Sequence, residues 1–164
     1  MIYNYRHHLA RQWDPALPLA VWVCLNPSTA DANVDDPTTR KIRGFSERWG
    51  YGNYILVNLY PLRATKPADL IAAPRGLRLG LIGAADRHIA DAYRLAADRR
   101  GAIFFAWGAN GGHHTIRERR AEVLALPRFG LKAYCLGTTK HGEPRHPLYL
   151  RYDTPRVVVT AGIA

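Results

Sequence analysis

The sequence has few cysteines and no long apolar run, and each shortage excludes a class of protein. It contains only two cysteines, Cys24 and Cys135, too few for a Cys-only zinc site or an iron–sulfur cluster. No apolar stretch approaches the roughly 20 residues of a membrane-spanning helix, and residues 1–8 lack a signal-peptide core. We therefore expect a cytoplasmic protein that does not associate with membranes, with both cysteines buried as small apolar side chains.

The sequence also lacks the lysine of a phosphate-binding loop and a convincing set of metal ligands. An apolar run at 101–108 leads into the glycine-rich turn 108–112 and a predicted helix at 115–126, and the backbone amides of such a turn suit an anion. No lysine follows the glycines, which disfavours a nucleoside triphosphatase. His113 and His114 are adjacent and make a poor pair of ligands. We expect no metal and no cofactor.

Positively charged residues outnumber negatively charged ones in the chain as a whole. The net charge is +10 and the pI is about 10.1, which predicts an anionic partner, with nucleic acid, and DNA above all, as the first candidate. The alternative is a basic surface in an arginine-rich protein. The cluster Arg6-His7-His8 could contact phosphate, although a solvated edge is favoured. The 164 residues, 48% of them hydrophobic, fit one domain over 1–164, and nothing in the pattern defines an oligomeric state.

Apolar runs and helical periodicity alternate along the chain. This alternation predicts an α/β fold: a single three-layer domain whose central, mostly parallel sheet of four to five strands is flanked by helices. An arm or short strand within 1–13 and an edge strand at 157–159 could extend the sheet. The predicted strands are 20–25, 54–60, 101–108 and 131–137, and the predicted helices are 37–48, a short one from 66, 80–98 and 115–126.

Polar residues mark the ends of the predicted strands. Proline cannot donate to a sheet and holds the preceding residue extended, so Asn26, before Pro27, should end its strand. Asn58 interrupts a second apolar run, where either the backbone or a ligand must satisfy its amide. Asn110 follows the third run, and His146 lies in the loop after the fourth. Because the carboxyl ends of parallel strands form the ligand crevice of an open α/β sheet, we expect these residues to gather there. The alternative is an ordinary capped turn.

The segment after Asn26 carries further polar side chains. Ser28 and Asp31 offer a hydroxyl and a carboxylate to a ligand in the crevice or to a helix start. Asp36 precedes a proline and is predicted to cap the helix at 37–48. Asp35 and Asp36 are adjacent and should point apart, which favours capping over a paired acid and base.

Motifs distributed over nearly the whole chain closely resemble those of the family called domain of unknown function 1643. The family name carries no activity. The motifs are LNPSTAD at 25–31, DDPT at 35–38, VNLYPLRAT at 57–65, AWG at 106–108 and LGTTKHGEPRHPLYL at 136–150.

The order of the motifs is also similar, more distantly, to that of the uracil-DNA glycosylase superfamily. There an early strand ends in a proline-containing catalytic loop, as at Asn26-Pro27 here, and a later strand carries an asparagine that reads the base edge, as Asn58 would. A third strand ends in a Trp-Gly pair, as at 107–108, and a final His-Pro loop presses on the minor groove, as His146 and its proline would. The resemblance implies a uracil-DNA glycosylase-like domain.

The resemblance implies an enzyme that flips a nucleobase, uracil or another altered base, into the crevice and hydrolyses its N-glycosidic bond. Catalysis would fall to Asn26, which would position water, and to His146, which would stabilise the departing base. The substrate-binding residues would be Pro27, Ser28, Asp31, Asn58, Trp107 and Asn110. The nucleic-acid-binding residues would be Lys140, His141 and Arg145, at phosphates, and Leu148 and Tyr149, one or the other of which would fill the space left by the flipped base.

Two alternative functions are suggested, one by departures of the sequence from the superfamily's pattern and one by its glycine-rich turn. The first loop lacks a second carboxylate, and Leu148 stands where the superfamily has serine, which motivates a non-catalytic nucleic-acid-binding protein on the same scaffold. The glycine-rich turn 108–112 motivates a nucleotide- or nucleoside-processing enzyme.

Overall fold

The computed structural model describes residues 4–31 and 33–160, and these form an α/β domain around a single sheet. The strands are β1 (His8–Gln12), β2 (Leu19–Cys24), β3 (Asn53–Asn58), β4 (Ala102–Phe105), β5 (Ala133–Cys135) and β6 (Val157–Val158). The helices are α1 (Pro37–Arg48), α2 (Pro67–Ala72), α3 (Arg75–Arg78), α4 (Ile82–Asp98) and α5 (His114–Leu124), with a 3₁₀ helix at Ala109–Gly112.

The sheet is mixed, with parallel strands at its centre. Its order is β1-β3-β2-β4-β5-β6; β3, β2, β4 and β5 run parallel, while β1 and β6 pair antiparallel at the edges. The described residues thus contribute six strands rather than the expected four or five. The difference arises because both short edge segments, within 1–13 and at 157–159, join the sheet instead of remaining loops.

Strand β2 is the buried centre of the sheet. All of its residues are buried, and its side chains alternate between the two faces. Val21 and Val23 pack with α4 and α5, whereas Trp22 packs with α1. The Trp22 ring stacks on Phe104 with centroids 4.8 Å apart, and its Nε1 donates to Ser46 Oγ at 3.0 Å. The buried run therefore holds helices on both faces, which makes the sheet the middle of three layers.

Helix α1 forms where the sequence predicts it. Asp36 caps it, with Oδ1 accepting from the Thr39 N–H at 2.8 Å, and a proline occupies its first turn. Ile42 and Phe45 are buried against the sheet. Asp35 instead pairs with Arg11 at 2.9 Å, so the two adjacent carboxylates do point apart.

The helices on the opposite face also follow the apolar spacing. The predicted helix at 80–98 is α4, with Ile89 and Tyr93 buried on its inner face, and the prediction at 115–126 is α5, which begins one residue and ends two residues earlier. A further short helix, α3 at Arg75–Arg78, begins directly after Pro74. Among the helices of the described residues, none has the length and apolar character to cross a membrane.

The chain direction places a crevice at one edge of the sheet. From β2 the chain passes through α1 to β3 on one side of β2, whereas from β4 it passes through α5 to β5 in the opposite direction across the sheet. The connections after β2 and β4 therefore diverge at the carboxyl ends of these two strands, and such switch points are where open α/β sheets bind ligands.

Candidate functional site

A cavity of about 550 Å³ opens at the carboxyl ends of β2, β3 and β4, and we call it the strand-end cavity. Asn26, Asn58 and His146, which come from distant parts of the chain, all line it. The other residues of the sequence-predicted site in its wall are Ser28, Trp107, Asn110, Leu148 and Tyr149. A cavity of this volume is suited to a small ligand.

The remaining predicted site residues lie elsewhere. Pro27 is buried beside the cavity, and its carbonyl accepts from the Ala64 N–H at 3.0 Å. Asp31 is exposed, and its Oδ1 accepts from the Asn33 and Val34 amides at 2.8 Å, hydrogen bonds that lower the pKa of its carboxyl. Lys140 and Arg145 are exposed. His141 lines a second, neighbouring cavity.

Asn58 carries the most informative polar group of the strand-end cavity. It ends β3, opposite Cys24 of β2, and is only 3% exposed. Neither its Nδ2 nor its Oδ1 has a hydrogen-bond partner among the described residues. Burying an amide without partners costs about 1–3 kcal/mol, and native proteins rarely leave such groups unpaired. The sequence left open whether the backbone or a ligand satisfies Asn58, and the described backbone does not.

Asn26 is held by its amide nitrogen. Nδ2 donates to the Ala64 carbonyl at 2.7 Å and to the Pro27 carbonyl at 3.0 Å. Within 4–31 and 33–160, no hydrogen bond uses Oδ1 of Asn26. The side chain therefore has a fixed orientation and an acceptor oxygen available in the cavity wall.

His146 is positioned by the loop after β5. Gly108 packs against His146 and has a φ of +77°. A Cβ at Gly108 would lie 3.2 Å from the His146 Cβ. Glycine therefore permits both this backbone conformation and the close approach. His146 Nδ1 accepts from the Leu148 N–H at 3.3 Å, which assigns the proton of a neutral ring to Nε2. Burial lowers the pKa of His146, with the charge of Asp36 acting in the opposite direction. The imidazole is neutral at pH 7.

Asp36 supplies a carboxylate that the sequence analysis did not place in the site. Its capping role is confirmed, but it also lines the strand-end cavity and is 9% exposed. Its Oδ2 accepts from the Ala30 N–H at 3.3 Å. The available signal was topological: a helix that follows a parallel strand begins at the carboxyl edge of the sheet, so its capping residue faces the same crevice.

Arg6 also lies in the cavity wall, contrary to the expected solvated edge. Its Nη1 donates to the Ala30 carbonyl, and its Nε has no partner among the residues described. Burial, and then the neighbouring charge of Arg63, lower the pKa of Arg6. His7 stacks on His88 with centroids 4.8 Å apart, so this end of the cluster packs against α4.

Arginines hold the loop after β2. Arg63 Nη2 donates to the carbonyls of Ser28 and Ala30 at 3.0 and 3.1 Å, and Arg11 Nη2 donates to the Asp31 carbonyl at 2.6 Å. The backbone oxygens of an irregular loop thus have charged donors, which fixes the loop at the rim of the cavity.

The cysteines do not supply a nucleophile. Both are free and buried, as predicted. Cys24 lines the strand-end cavity, but burial raises the pKa of its thiol to about 12, and thiolate is the reactive form. The described part of the chain contains no group of three or more His, Cys, Asp or Glu side chains arranged to hold a metal ion.

A buried polar network supports the wall formed by β4. Trp107 Nε1 donates to Glu143 Oε2 at 2.7 Å, and Arg120 donates to the other carboxylate oxygen of Glu143. Gly111 packs on this network, where a Cβ would meet the Trp107 ring at 2.1 Å. Glu143 therefore ties the tryptophan to α5.

Comparison with known proteins identifies a family but no activity. No curated protein and no solved structure gives a significant match to the chain. The model of the family described as Protein of unknown function (DUF1643) matches residues 6–148, a span that includes β1 to β5 and nearly all of the strand-end cavity. The chain therefore belongs to the DUF1643 family.

Proposed function

We propose that this protein is an N-glycosidase-like enzyme that takes a nucleobase of DNA into the strand-end cavity and hydrolyses its N-glycosidic bond. The observation that carries the proposal is the amide of Asn58, which is buried in the cavity wall with neither polar atom paired among the described residues. A uracil-DNA glycosylase-like scaffold is part of the proposal, supported by the strand-end position of Asn26, Asn58 and Trp107.

Asn58 is suited to the edge of a planar heterocycle. Its amide offers an acceptor beside a donor, and the N3–H and O4 of uracil present the complementary pair. A site built from buried groups that need partners rejects ligands lacking them, because those groups are then left unpaired. Uracil and other bases with an adjacent donor and acceptor are therefore the proposed substrates.

His146 would assist the departing base. Breaking the bond from C1′ of the sugar to the base nitrogen leaves the bonding electrons on the base. A neutral imidazole with its proton on Nε2 donates a hydrogen bond to a base oxygen and stabilises this negative charge. The lowered pKa of His146 and its Nδ1 contact with Leu148 support this protonation state.

Asn26 and Asp36 would act on the sugar side. Positive charge develops on the sugar as the bond breaks, and a buried carboxylate at Asp36 stabilises it electrostatically. The free Oδ1 of Asn26 accepts a hydrogen bond from water and orients it toward C1′, with modest assistance to the attack. Water supplies the hydroxyl to the sugar and a proton to the base.

Charge and exposure support a nucleic-acid substrate. The net charge of +10 favours binding to phosphates. Tyr149 lies at the cavity wall yet is 93% exposed, which suits it to fill the space of an extruded base. Leu148 lies beside it and is half-buried.

The direct test is base release. The protein is incubated with single-stranded and duplex DNA containing uracil, hypoxanthine or mismatched thymine, and alkali then cleaves any abasic site. We expect strand breakage on at least one substrate, lost in Asn58→Ala and retained in Asn53→Ala. An absence of breakage on every substrate, with DNA binding intact, contradicts the proposal.

Two hydrogen bonds of Asn26 favour a second candidate, a non-catalytic nucleic-acid-binding protein. Both hydrogen bonds of Asn26 Nδ2 go to the backbone, a pattern that also suits a purely structural asparagine. This candidate predicts salt-dependent DNA binding that is unchanged in Asn26→Ala, with no base released. A turnover that Asn26→Ala abolishes excludes it.

A further inference from the structure

A second cavity, of about 590 Å³, adjoins the strand-end cavity. It is lined by Ala109, Gly112, Arg117, Arg120, His141 and Glu143, and Ala109 belongs to both walls. We propose that this second cavity, here called the anion cavity, binds a backbone phosphate next to the nucleotide whose base enters the strand-end cavity. The proposal rests on the proposed function and adds a subsite to it.

Arg120 is the buried cation of the anion cavity. It is 6% exposed, and its Nε has no hydrogen-bond partner within the described residues. Glu143 accepts from a different nitrogen, Nη1. A guanidinium N–H that is buried without an acceptor is costly. A phosphate oxygen in the cavity is a suitable acceptor, because arginine matches the geometry of phosphate.

Arg117 and His141 provide the accessible hydrogen-bond donors of the anion cavity. Both are exposed. Within 4–31 and 33–160, the Arg117 side chain makes a single long hydrogen bond of 3.4 Å, from Nη2 to the Gly112 carbonyl. Glu143 is the acidic residue of the wall, and both of its oxygens already accept, from Arg120 and Trp107. The cavity therefore presents free donors with little competing negative charge.

The position of the cavity supports a phosphate for a further reason. Its wall is formed by Arg117 and Arg120 of α5 and by Gly112, two residues before that helix begins. Glu143 also links Arg120 of the anion cavity to Trp107 of the strand-end cavity. One rigid wall thus separates a site for a base from a site for an anion, as expected where a base and its neighbouring phosphate bind together.

The test removes the exposed Arg117 and leaves the buried pair of Arg120 and Glu143 intact. Arg117→Ala is compared with Arg94→Ala on α4, a matched control whose side chain is 62% exposed. The probe is a labelled single-stranded DNA containing one uracil. We expect Arg117→Ala to bind it about tenfold more weakly, the effect of one charged hydrogen bond. The slope of log affinity against log salt should fall by about 0.7, the value of one phosphate contact. Arg94→Ala should bind the DNA as tightly as the wild type does, and Arg117→Ala should keep the wild-type affinity for free uracil. Arg117→Lys should recover part of the DNA binding.

The outcomes separate this proposal from the proposed function. Equal DNA affinity and equal salt slope in Arg117→Ala and Arg94→Ala overturn the anion cavity, whether or not the protein releases a base. If Arg117→Ala binds DNA more weakly and Arg94→Ala does not, the anion cavity is supported even when no base is released. The absence of base release would then contradict only the proposed enzymatic activity. Inorganic phosphate is the second probe. If it binds to the wild type as tightly as the DNA does and this binding is lost in Arg117→Ala, the ligand is free phosphate and the backbone assignment is overturned.

Discussion

Two asparagines at opposite ends of β3 differ in one decisive respect. Asn53 begins the strand and Asn58 ends it, and each is 3% exposed. Asn53 Oδ1 accepts from Arg99 at 2.9 Å, and its Nδ2 lies 3.3 Å from the carbonyls of Leu17 and Pro18. Asn58 has no partner among the described residues for either atom. Two equally buried asparagines therefore differ in role: the amide at the amino end of β3 is part of the structure, and the amide at its carboxyl end, in the cavity wall, is available to a ligand.

The comparison teaches that burial alone does not identify a functional polar residue. A buried amide whose hydrogen bonds are complete contributes to stability, whereas one whose bonds are missing costs stability until a ligand supplies them. Residues of this second kind persist where function requires them. The difference between Asn53 and Asn58 can therefore be measured as opposite effects on stability and on activity.

The variant with the largest expected effect tests whether the sheet is simply poorly packed at the carboxyl ends of its strands. Glu143→Ala leaves Arg120 as an uncompensated buried charge and removes the acceptor of Trp107. We expect the free energy of unfolding, measured by urea denaturation, to fall by about 3–5 kcal/mol. The control is Glu47→Ala on α1, whose side chain is 45% exposed and pairs at the surface with Arg43. This change should alter the free energy of unfolding by about 0.5 kcal/mol or less. If Glu143→Ala and the control variant both have small and equal effects, the cavity wall next to β4 is not rigidly held.

The second prediction concerns the unpaired amide. Asn58→Ala should lower the rate of base release by about 10²–10³, the usual cost of one well-placed transition-state or recognition contact, because the base edge loses its donor and acceptor. The free energy of unfolding should stay the same or rise by up to about 1 kcal/mol, since an unsatisfied group is removed. A clear loss of stability in Asn58→Ala would show that its amide has a partner in the folded protein.

The third prediction is the reverse behaviour of the other asparagine. Asn53→Ala should lower the free energy of unfolding by about 1–3 kcal/mol, because Arg99 loses its acceptor and two carbonyls lose a donor. Base release at a temperature where the variant is folded should be unchanged. A selective loss of activity in folded Asn53→Ala would remove the contrast between the two ends of β3.

The smallest effect is a shift in pH dependence. Burial lowers the pKa of His146 from its ordinary value of 6.5, so the neutral ring persists below that pH. As the pH falls through the lowered pKa, the ring is protonated, its Nδ1 can no longer accept from Leu148, and the rate of base release should decline. We expect the acid limb of kcat/KM to lie below pH 6.5 and to disappear from the residual activity of His146→Asn. An acid limb above that value would contradict a neutral His146.

The same lowered pKa affects stability in a defined direction. The unfolded chain binds a proton at His146 below pH 6.5 while the folded protein resists it, so folding stability should fall as the pH drops below that value. His7 and His8 also have pKa values lowered by burial and by the nearby His88 and act in the same direction. The pH dependence of activity should therefore be measured where circular dichroism shows the protein folded.

Strand ends were the predictable part of the site. Apolar runs located β2 to β5, and the prolines and asparagines after them located Asn26 and Asn58 at one rim. Asp36 was recognised as a cap, but its second position in the cavity wall depends on where α1 begins relative to β2, which spacing alone does not reveal. Arg6 was missed because β1 is a short edge strand whose partner, β3, lies more than forty residues further along the chain.

Other residues were predicted to bind but are engaged locally. Asp31 carries polar chemistry in the right segment, yet its carboxylate accepts from the amides of its own turn, a local choice that aspartate often makes. The network of Trp107, Glu143 and Arg120 joins three separate segments, and no periodicity in the sequence brings a buried glutamate to a tryptophan. Local patterns thus located the strand ends, and long-range pairing decided which side chains reach the cavity.

The most direct test of the central claim is the NMR signal of the side-chain amides during a titration with free uracil and, in parallel, free hypoxanthine. The proton and nitrogen shifts of Asn58 Nδ2 should move on addition of at least one of these bases, while those of Asn53 Nδ2 remain constant. If the Asn58 signals stay unchanged with both bases, or if both asparagines shift alike, the assignment of Asn58 as the group that recognises a base edge is wrong.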